Sequence, residues 1–422
     1  MSDEKIVGLD IGTNVIRVAI GEVDPETGNI QIAGVASRKS SGLRNGVIVS
    51  IEQAKDAISE AIDAAEQNAG TTVESVITGI GGAQIESINT KGTVPVSMTG
   101  NQSREISKED VKRVIDCAVH IKLPSDREKL HTIPQNFIVD GVGGISDPVN
   151  RIGTRLEAEV HMVTASSTII QNIKACISRA NYELQGVMLK TLVQTQSVCY
   201  QEELDLGSIL IDMGAGTTDV LVLINGAPVS TASVPIGGNL VSNDIALVTG
   251  IPIATAENIK VQDGCCWLKG ITPENDREVI LPGVGGRAPE VIMRSQLCQI
   301  IQARVEQIFV AVKAAIRKNT NNSVKQLSGN IILTGGGAMM DGVVELAQSV
   351  FKTSSVRVGC PENLGGITED YRRPDFATAI GLIVAKRNFL PANESHRHSK
   401  GKKAKSKKNN ENIFKKIFDS LF

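Results

Sequence analysis

Asp10, Gly12, Thr13 and Asn14 stand together in the stretch IVGLDIGTNVIRVAI (6–20). The same residue types return in ILIDMGAGTTDVLVL (209–223), with Asp212, Gly214, Ala215, Gly216, Thr217 and Thr218. Each copy ends an apolar run on an aspartate, turns through glycine and threonine, and continues into a second apolar run. Such a turn aims backbone N–H groups into one concavity that holds phosphate oxygens, and glycine lets the chain approach without a Cβ. Two facing aspartates suit Mg²⁺, which keeps several waters and bridges phosphates. One copy is a weak signal, because short D-x-G-x runs occur in many loops. Two copies are stronger, and a third glycine run, LTGGGAMMDG (333–342), adds Gly335, Gly336, Gly337 and Ala338. That run follows a strand and is expected to start a helix, whose free N–H groups would lie against the sugar and α-phosphate of a nucleotide. Tight strand–helix packing is the other reading of these glycines. No G-x-x-x-x-G-K-[ST] motif is present, and no convincing dinucleotide fingerprint.

The elements that must hold these turns are legible in outline. The pattern over residues 5–23 predicts a hairpin, and SIEQAKDAISEAIDAAEQNAG a helix stopped at Gly70. VESVITGIGG reads as a buried strand. From about Ala83 to Ala165 the texture changes: a helix capped by Ser107 and Asp110 precedes the extended pieces HTIPQNFIVDG and TRLEAEVHMVTAS. This stretch reads as a small α+β module inserted into the first domain. A helix (STIIQNIKACISRANY) and a strand (LQGVML) lead to the second hairpin, where the chain begins its pattern again. Repetition of a whole hairpin implies two domains of similar build. Helical spacing at 255–262 and 292–318, the strand NIILTGGG and a closing helix DFATAIGLIVAKR complete the body.

The 422 residues suffice for two to three domains, and 41% hydrophobic content with 40 Gly and 14 Pro fits a globular α/β protein. A net charge of −2 argues against a partner as anionic as nucleic acid. Seven cysteines form no C-x-x-C pair and have no metal-ligand spacing with the five histidines, which predicts buried thiols. Cys265 and Cys266 are adjacent and read as core thiols. The opening MSDEKIVGLD is acidic and runs into a strand, unlike a signal peptide, and no apolar window is long enough to span a bilayer.

The charge is unevenly spread. From Pro391 onward nine Lys and Arg stand against three Asp and Glu, so the tail carries about +6 and the body about −8. After the basic linker 391–410, residues 411–422 end in IFKKIFDSLF. At roughly 100° per residue, Ile413, Phe414, Ile417, Phe418, Leu421 and Phe422 fall on one half of a helical wheel, with Lys415 and Lys416 on the other. A terminal helix docked on its own core is the plain reading. The long basic tether favours instead a helix that lies in the interface of an anionic membrane.

The order of phosphate turn, phosphate turn and adenosine turn resembles the actin / sugar kinase / chaperone ATPase superfamily. Within it the chain is similar, nearly end to end, to the bacterial cell-division FtsA family. HTIPQNFIVDGVGGISDPVNRIGTRLEAEVHMVTAS resembles that family's inserted domain, VPIGGNLVSNDIA its Gly-Gly turn and AENIKVQDGCC its adenosine-contacting helix. The resemblance implies an actin-like two-domain fold with subdomain 1A at 1–84 and 165–204, and an inserted 1C at 85–164. Subdomain 2A would span 205–245 and 329–374, 2B would span 246–328, and a closing helix 375–390 would return to 1A. It implies ATP and Mg²⁺ as ligands, with Gly237 and Gly238 near the phosphates and Glu257 and Lys260 at the ribose or adenine. A surface i,i+3 ion pair is the alternative for the last two.

In the stretch TLVQTQSVCY, Gln194 and Gln196 match the place where many relatives orient the attacking water, yet an amide is no general base. Weak ATP turnover at most is therefore expected. Arg304 falls where the family places a contact to the acidic tail of the tubulin-like FtsZ. The function implied is a peripheral protein of the cytoplasmic face of the inner membrane at the division septum. It would self-assemble into filaments, tether FtsZ and recruit later division proteins through the inserted module. A small-molecule kinase, with Asp219 as its acid, and a PilM-like pilus assembly ATPase are the alternatives.

Overall fold

The computed structural model describes residues 4–389 except 25, 98–101, 284, 287, 321–329, 363 and 367–369. The basic linker and the terminal amphipathic segment expected at 391–422 lie outside the described residues.

Two mixed sheets carry the architecture. The first has six strands in the order Glu183–Leu189, Ser75–Ile80, Glu4–Ile11, Val15–Val23, Ile30–Lys39 and Gly365–Gly366. The hairpin Glu4–Ile11/Val15–Val23 is antiparallel, while Ser75–Ile80 runs parallel to it on the inner side. Apolar residues on both faces of these strands explain their continuous hydrophobic runs. Helix Ile51–Ala69 packs on strands Ile30–Lys39 and Val15–Val23, and helix Ala377–Phe389 on strand Glu4–Ile11 and on the connecting helix Lys190–Val198. Gly70 takes the left-handed conformation (φ 65°) that ends the first of these helices.

The second sheet has five strands in the order Ala227–Val234, Thr218–Ile224, Ser208–Met213, Asn330–Thr334 and Val356–Val358. Its central hairpin repeats the first: Asp10 pairs across strands with Arg17, and Asp212 with Asp219. Helices Gly238–Thr249, Ile253–Asp263 and Arg294–Asn319 complete this half around one core that includes Ile211, Val222, Ile245, Ile301 and Phe309. The helical spacing read over 292–318 starts two residues too early. Glu290–Met293 is a strand paired with Glu278–Leu281, and the helix begins at Arg294.

The inserted module has its own core of Val96, Val114, Phe137, Leu156, Val160 and Met162 beneath a four-stranded sheet and helix Lys108–Val119. Ser107 and Asp110 form the capping box expected of them, and Arg104 and Arg113 brace Asp110 at 2.7 Å each. The module docks on the outer strand of the second sheet. Asn89 Nδ2 donates to Val229 O (3.0 Å), Gln135 Nε2 to Pro228 O (2.8 Å), and His161 Nε2 meets Thr231 Oγ1 (2.9 Å). Burial pushes His161 down to about 4, so this seam uses a neutral imidazole. All seven cysteines are free, and Cys265 and Cys266 are buried thiols.

Candidate functional site

The two hairpins point their turns into one cleft of about 450 Å³ between the halves. That size suits a nucleotide-sized ligand. Asp10, Gly12, Thr13, Asn14, Asp212, Gly214, Ala215, Gly216 and Thr217 all line it. The turns are built alike: Gly214 N–H donates to Thr217 O at 3.0 Å, and a Cβ on either Gly12 or Gly214 would strike the carbonyl that closes its turn. The two halves also touch. Asn14 and Asn239 exchange amide hydrogen bonds across the cleft (2.5 and 3.1 Å), and within the first half Thr13 Oγ1 accepts from Gly46 N–H at 2.9 Å. A Cβ on Gly216 would come within 2.7 Å of Asn45 Cα.

Thr218 and Gly237 do not face this cleft. Thr218 is fully buried and donates to Ile236 O at 2.8 Å, because adjacent strand residues point to opposite faces. Gly237 lies behind the second turn, where a Cβ would meet Ala215 O at 2.6 Å. Its neighbour Gly238 does line the cleft, and its N–H donates to Gly214 O at 3.0 Å.

The third glycine run closes the cleft floor, although no α-helix starts on it. Gly336–Met339 is a single 3₁₀ turn, and the helix begins only at Val343. Gly335 sits at φ 81°, a backbone conformation that a side chain strains, and a Cβ there would collide with Asp212 Oδ1. All three glycines line the cleft; Gly335 and Gly337 also pack closely on the end of the second hairpin, while nothing lies within 4 Å of a Cβ on Gly336. Ala338 is buried in the second core and does not line the site.

Glu257 and Lys260 are not a solvated surface pair. Lys260 is half-buried, with its Nζ 2.7 Å from Glu257 Oε2, 2.9 Å from Ser242 Oγ and 3.1 Å from Gly238 O. This places an ammonium directly behind the second phosphate turn. At the rim, Arg17 and Arg373 share the buried Asp375 at 2.7 Å each.

The connecting helix Lys190–Val198 supplies the centre. Gln194 Nε2 donates to Asp212 Oδ2 (2.8 Å) and Thr378 Oγ1 (2.9 Å), leaving its buried Oε1 with no partner. An orphaned acceptor beside the phosphate turns is placed to orient a water. Gln196 is not: its Oε1 accepts from Asn388 at 3.4 Å on the outer side, about 200° around the helix from Gln194. One turn before Gln194, Lys190 places Nζ 2.6 Å from Asp10 Oδ1 and 3.3 Å from Ile11 O. Burial opposes its charge most strongly of any single cause, but Asp10, Asp212 and Asp219 together outweigh it, so the ammonium is held above its usual range. Burial, then the nearby Asp219 charge, pushes Asp212 up to about 6. Asp219 Oδ2 accepts from Gly82 N–H at 3.0 Å.

One oxygen of each aspartate is thus already engaged by this chain's own side chains. Asp10 is matched by an ammonium and Asp212 by an amide, and no group of three or more His, Cys, Asp or Glu among the described residues could hold a metal ion. Lys190, Arg17 and Asp375 carry no motif, and Asp219 enters the sequence reading only through the kinase alternative. Lys190 had one signal, its i,i+4 spacing from Gln194, which places both on one helix face.

Duplicated hairpins, each at the centre of its own sheet and facing a shared cleft, define the actin-like ATPase fold. Solved structures agree. The chain superposes on the PilM–PilN type IV pilus biogenesis complex with a TM-score of 0.64 at 16% identity, covering 92% of this chain and 99% of that one. It superposes on MreB 5 of Spiroplasma citri bound to AMPPNP with a TM-score of 0.54 at 14% identity, covering 91% and 96%.

Sequence relatives narrow the class. Residues 209–381 match the family described as cell division protein FtsA, and residues 82–164 match the SHS2 domain inserted in FtsA. The FtsA of Borreliella burgdorferi is 39% identical over 96% of this chain and 95% of its own length. Those of Pseudomonas aeruginosa and Escherichia coli K12 are 36% and 35% identical over 91% and 90% of this chain, each over 89% of its own length. The chain belongs to the FtsA family of cell division proteins.

Proposed function

We propose that the cleft binds ATP and that the protein works as a nucleotide-dependent membrane tether for division filaments. The observation that carries the ATP reading is the pair of matched turns, Gly12–Asn14 and Gly214–Thr217, opposed across a single cleft. Their N–H groups would hold the terminal phosphates, with Lys260 adding charge from behind, and Gly336 would border the adenosine. Glu257 would lie at the ribose. Gln194, accepting through its free Oε1, would hold a water in line, but an amide removes no proton, so turnover would be slow. The Asn14–Asn239 pair closes the two halves on each other, and nucleotide would favour that closed form. A closed form with one fixed shape is what self-assembly needs, since repeated contacts demand identical subunits.

The remaining parts follow the family. Arg304 would contact the acidic tail of FtsZ. It is already held by Asp244 through two hydrogen bonds (2.6 and 2.8 Å), so an acidic tail must compete with an internal carboxylate. The inserted module would receive later division proteins. Residues 411–422 would lie in the inner membrane's cytoplasmic interface. Each fully buried large apolar side chain there gives about 1.5–3 kcal/mol, a marginal anchor for one copy. Assembly makes later contacts intramolecular, and avidity gains about 10²–10⁴-fold. No helix among the described residues is long and apolar enough to cross a membrane.

Co-sedimentation with anionic liposomes tests this reading. Full-length protein with ATP should pellet with lipid and carry an FtsZ tail peptide with it. Deletion of 411–422 should abolish pelleting and leave ATP binding intact. Pelleting by the truncated chain would overturn the anchor assignment.

A further inference from the structure

The connecting helix brings a cation where the repeated aspartates call for one. Lys190 is its first residue, and the side chain enters the cleft beside the end of strand Ser75–Ile80. Two glycines make room for it. A Cβ on Gly79 would come within 2.9 Å of Lys190 Cγ, and one on Gly81 within 3.4 Å of Lys190 Cδ. The stem is sheathed, its side chain only 15% exposed, and the ammonium is fixed between Asp10 Oδ1 and Ile11 O. A buried ammonium is costly unless paired and hydrogen-bonded, and here it meets both conditions. The other cations lining the cleft have local acids: Arg17 and Arg373 share Asp375, and Lys260 has Glu257. Lys190 stands at the first phosphate turn, paired with Asp10 and within the field of Asp212 and Asp219 as well.

The geometry points to Lys190 as a resident cation that takes the place of Mg²⁺ between the two hairpins, so that the cleft binds ATP without a divalent metal. The ammonium neutralises Asp10, which would otherwise repel the phosphates, and presents its one remaining N–H to them. Gln194, one turn on, holds Asp212 through an amide, so one oxygen of each aspartate is already engaged. This rests on the ATP reading of the same cleft.

ATP binding by the full-length chain, measured calorimetrically in excess Mg²⁺ and in EDTA, tests it. The expected result is that wild type loses less than about threefold in affinity on removing the metal. Lys190→Met should lose at least about tenfold in EDTA and recover in excess Mg²⁺, whereas Lys190→Arg should stay close to wild type. A collapse of wild-type binding in EDTA overturns the resident-cation role and leaves the ATP reading standing. So does a Lys190→Met chain that binds in EDTA as wild type does. The wild-type arm decides alone if the methionine variant does not fold. If wild type binds ATP in neither condition, the ATP reading falls and this inference with it.

Discussion

The two phosphate hairpins share a backbone and differ in charge. In the first, Asp10 lies across from Arg17 and is met by the Lys190 ammonium. In the second, Asp212 lies across from Asp219 and is met by the Gln194 amide. Like charges directly opposed across strands destabilise a sheet, and burial sharpens the conflict. The duplicated turn geometry was kept while its surroundings diverged, one half neutralised and the other strained. A single helix serves both, offering a cation at one position and an amide one turn later. The strained half is where a ligand has most to change, as expected of a functional site held at some cost to stability.

The same substitution should therefore act with opposite sign in the two copies. Asp10→Asn leaves Lys190 buried without its direct partner. Breaking such a pair costs about 3 kcal/mol or more, and the variant should unfold at clearly lower denaturant at pH 7.5. An unchanged midpoint would show that Asp212 and Asp219 suffice to hold the lysine.

Asp212→Asn should instead stabilise the chain. The folded value of about 6 lies above the ordinary carboxylate value, so the folded state keeps a proton that the unfolded chain has lost. The group's contribution to stability is then present at about pH 4 and falls as pH rises to about 6. Asparagine keeps an acceptor for Gln194 and removes the charge, gaining about 1–3 kcal/mol at pH 7.5 and little at pH 4.5. Denaturant titrations at both pH values check the slope as well as the sign. A destabilised Asp212→Asn at pH 7.5 would erase the contrast between the halves.

The smallest effect is expected where the two halves meet. Asn14→Ala removes the reciprocal amide pair with Asn239 and should cost about 1 kcal/mol. Amide hydrogens of Gly12–Asn14 and Gly214–Thr217 should exchange a few-fold faster. Unaltered exchange would mean that the pair does not hold the cleft shut.

The hairpins were legible because the pattern is local: an apolar run, an aspartate, a glycine turn and a second run. Gly70 and the Ser107–Asp110 box were legible for the same reason, since a helix end is set by a few neighbouring residues. What escaped is long-range. Lys190 meets Asp10, and Asp375 meets Arg17, only because the sheets bring distant segments together. Gln194 and Gln196 could not be separated by type, yet helical geometry lets only one face the cleft. Thr217 and Thr218 are divided in the same way by strand alternation, and Ala338 by the 3₁₀ turn that folds it inward. Glu257 and Lys260 looked like an exposed pair by spacing, and only the packing of helix Ile253–Asp263 on helix Gly238–Thr249 draws Lys260 into the cleft.

If two copies of one turn grip a single triphosphate between them, a crystal grown with ATP should show one nucleotide per chain, its phosphates touching N–H groups from both Gly12–Asn14 and Gly214–Thr217. A triphosphate bound to one turn alone, or lodged outside the cleft, would contradict that grip.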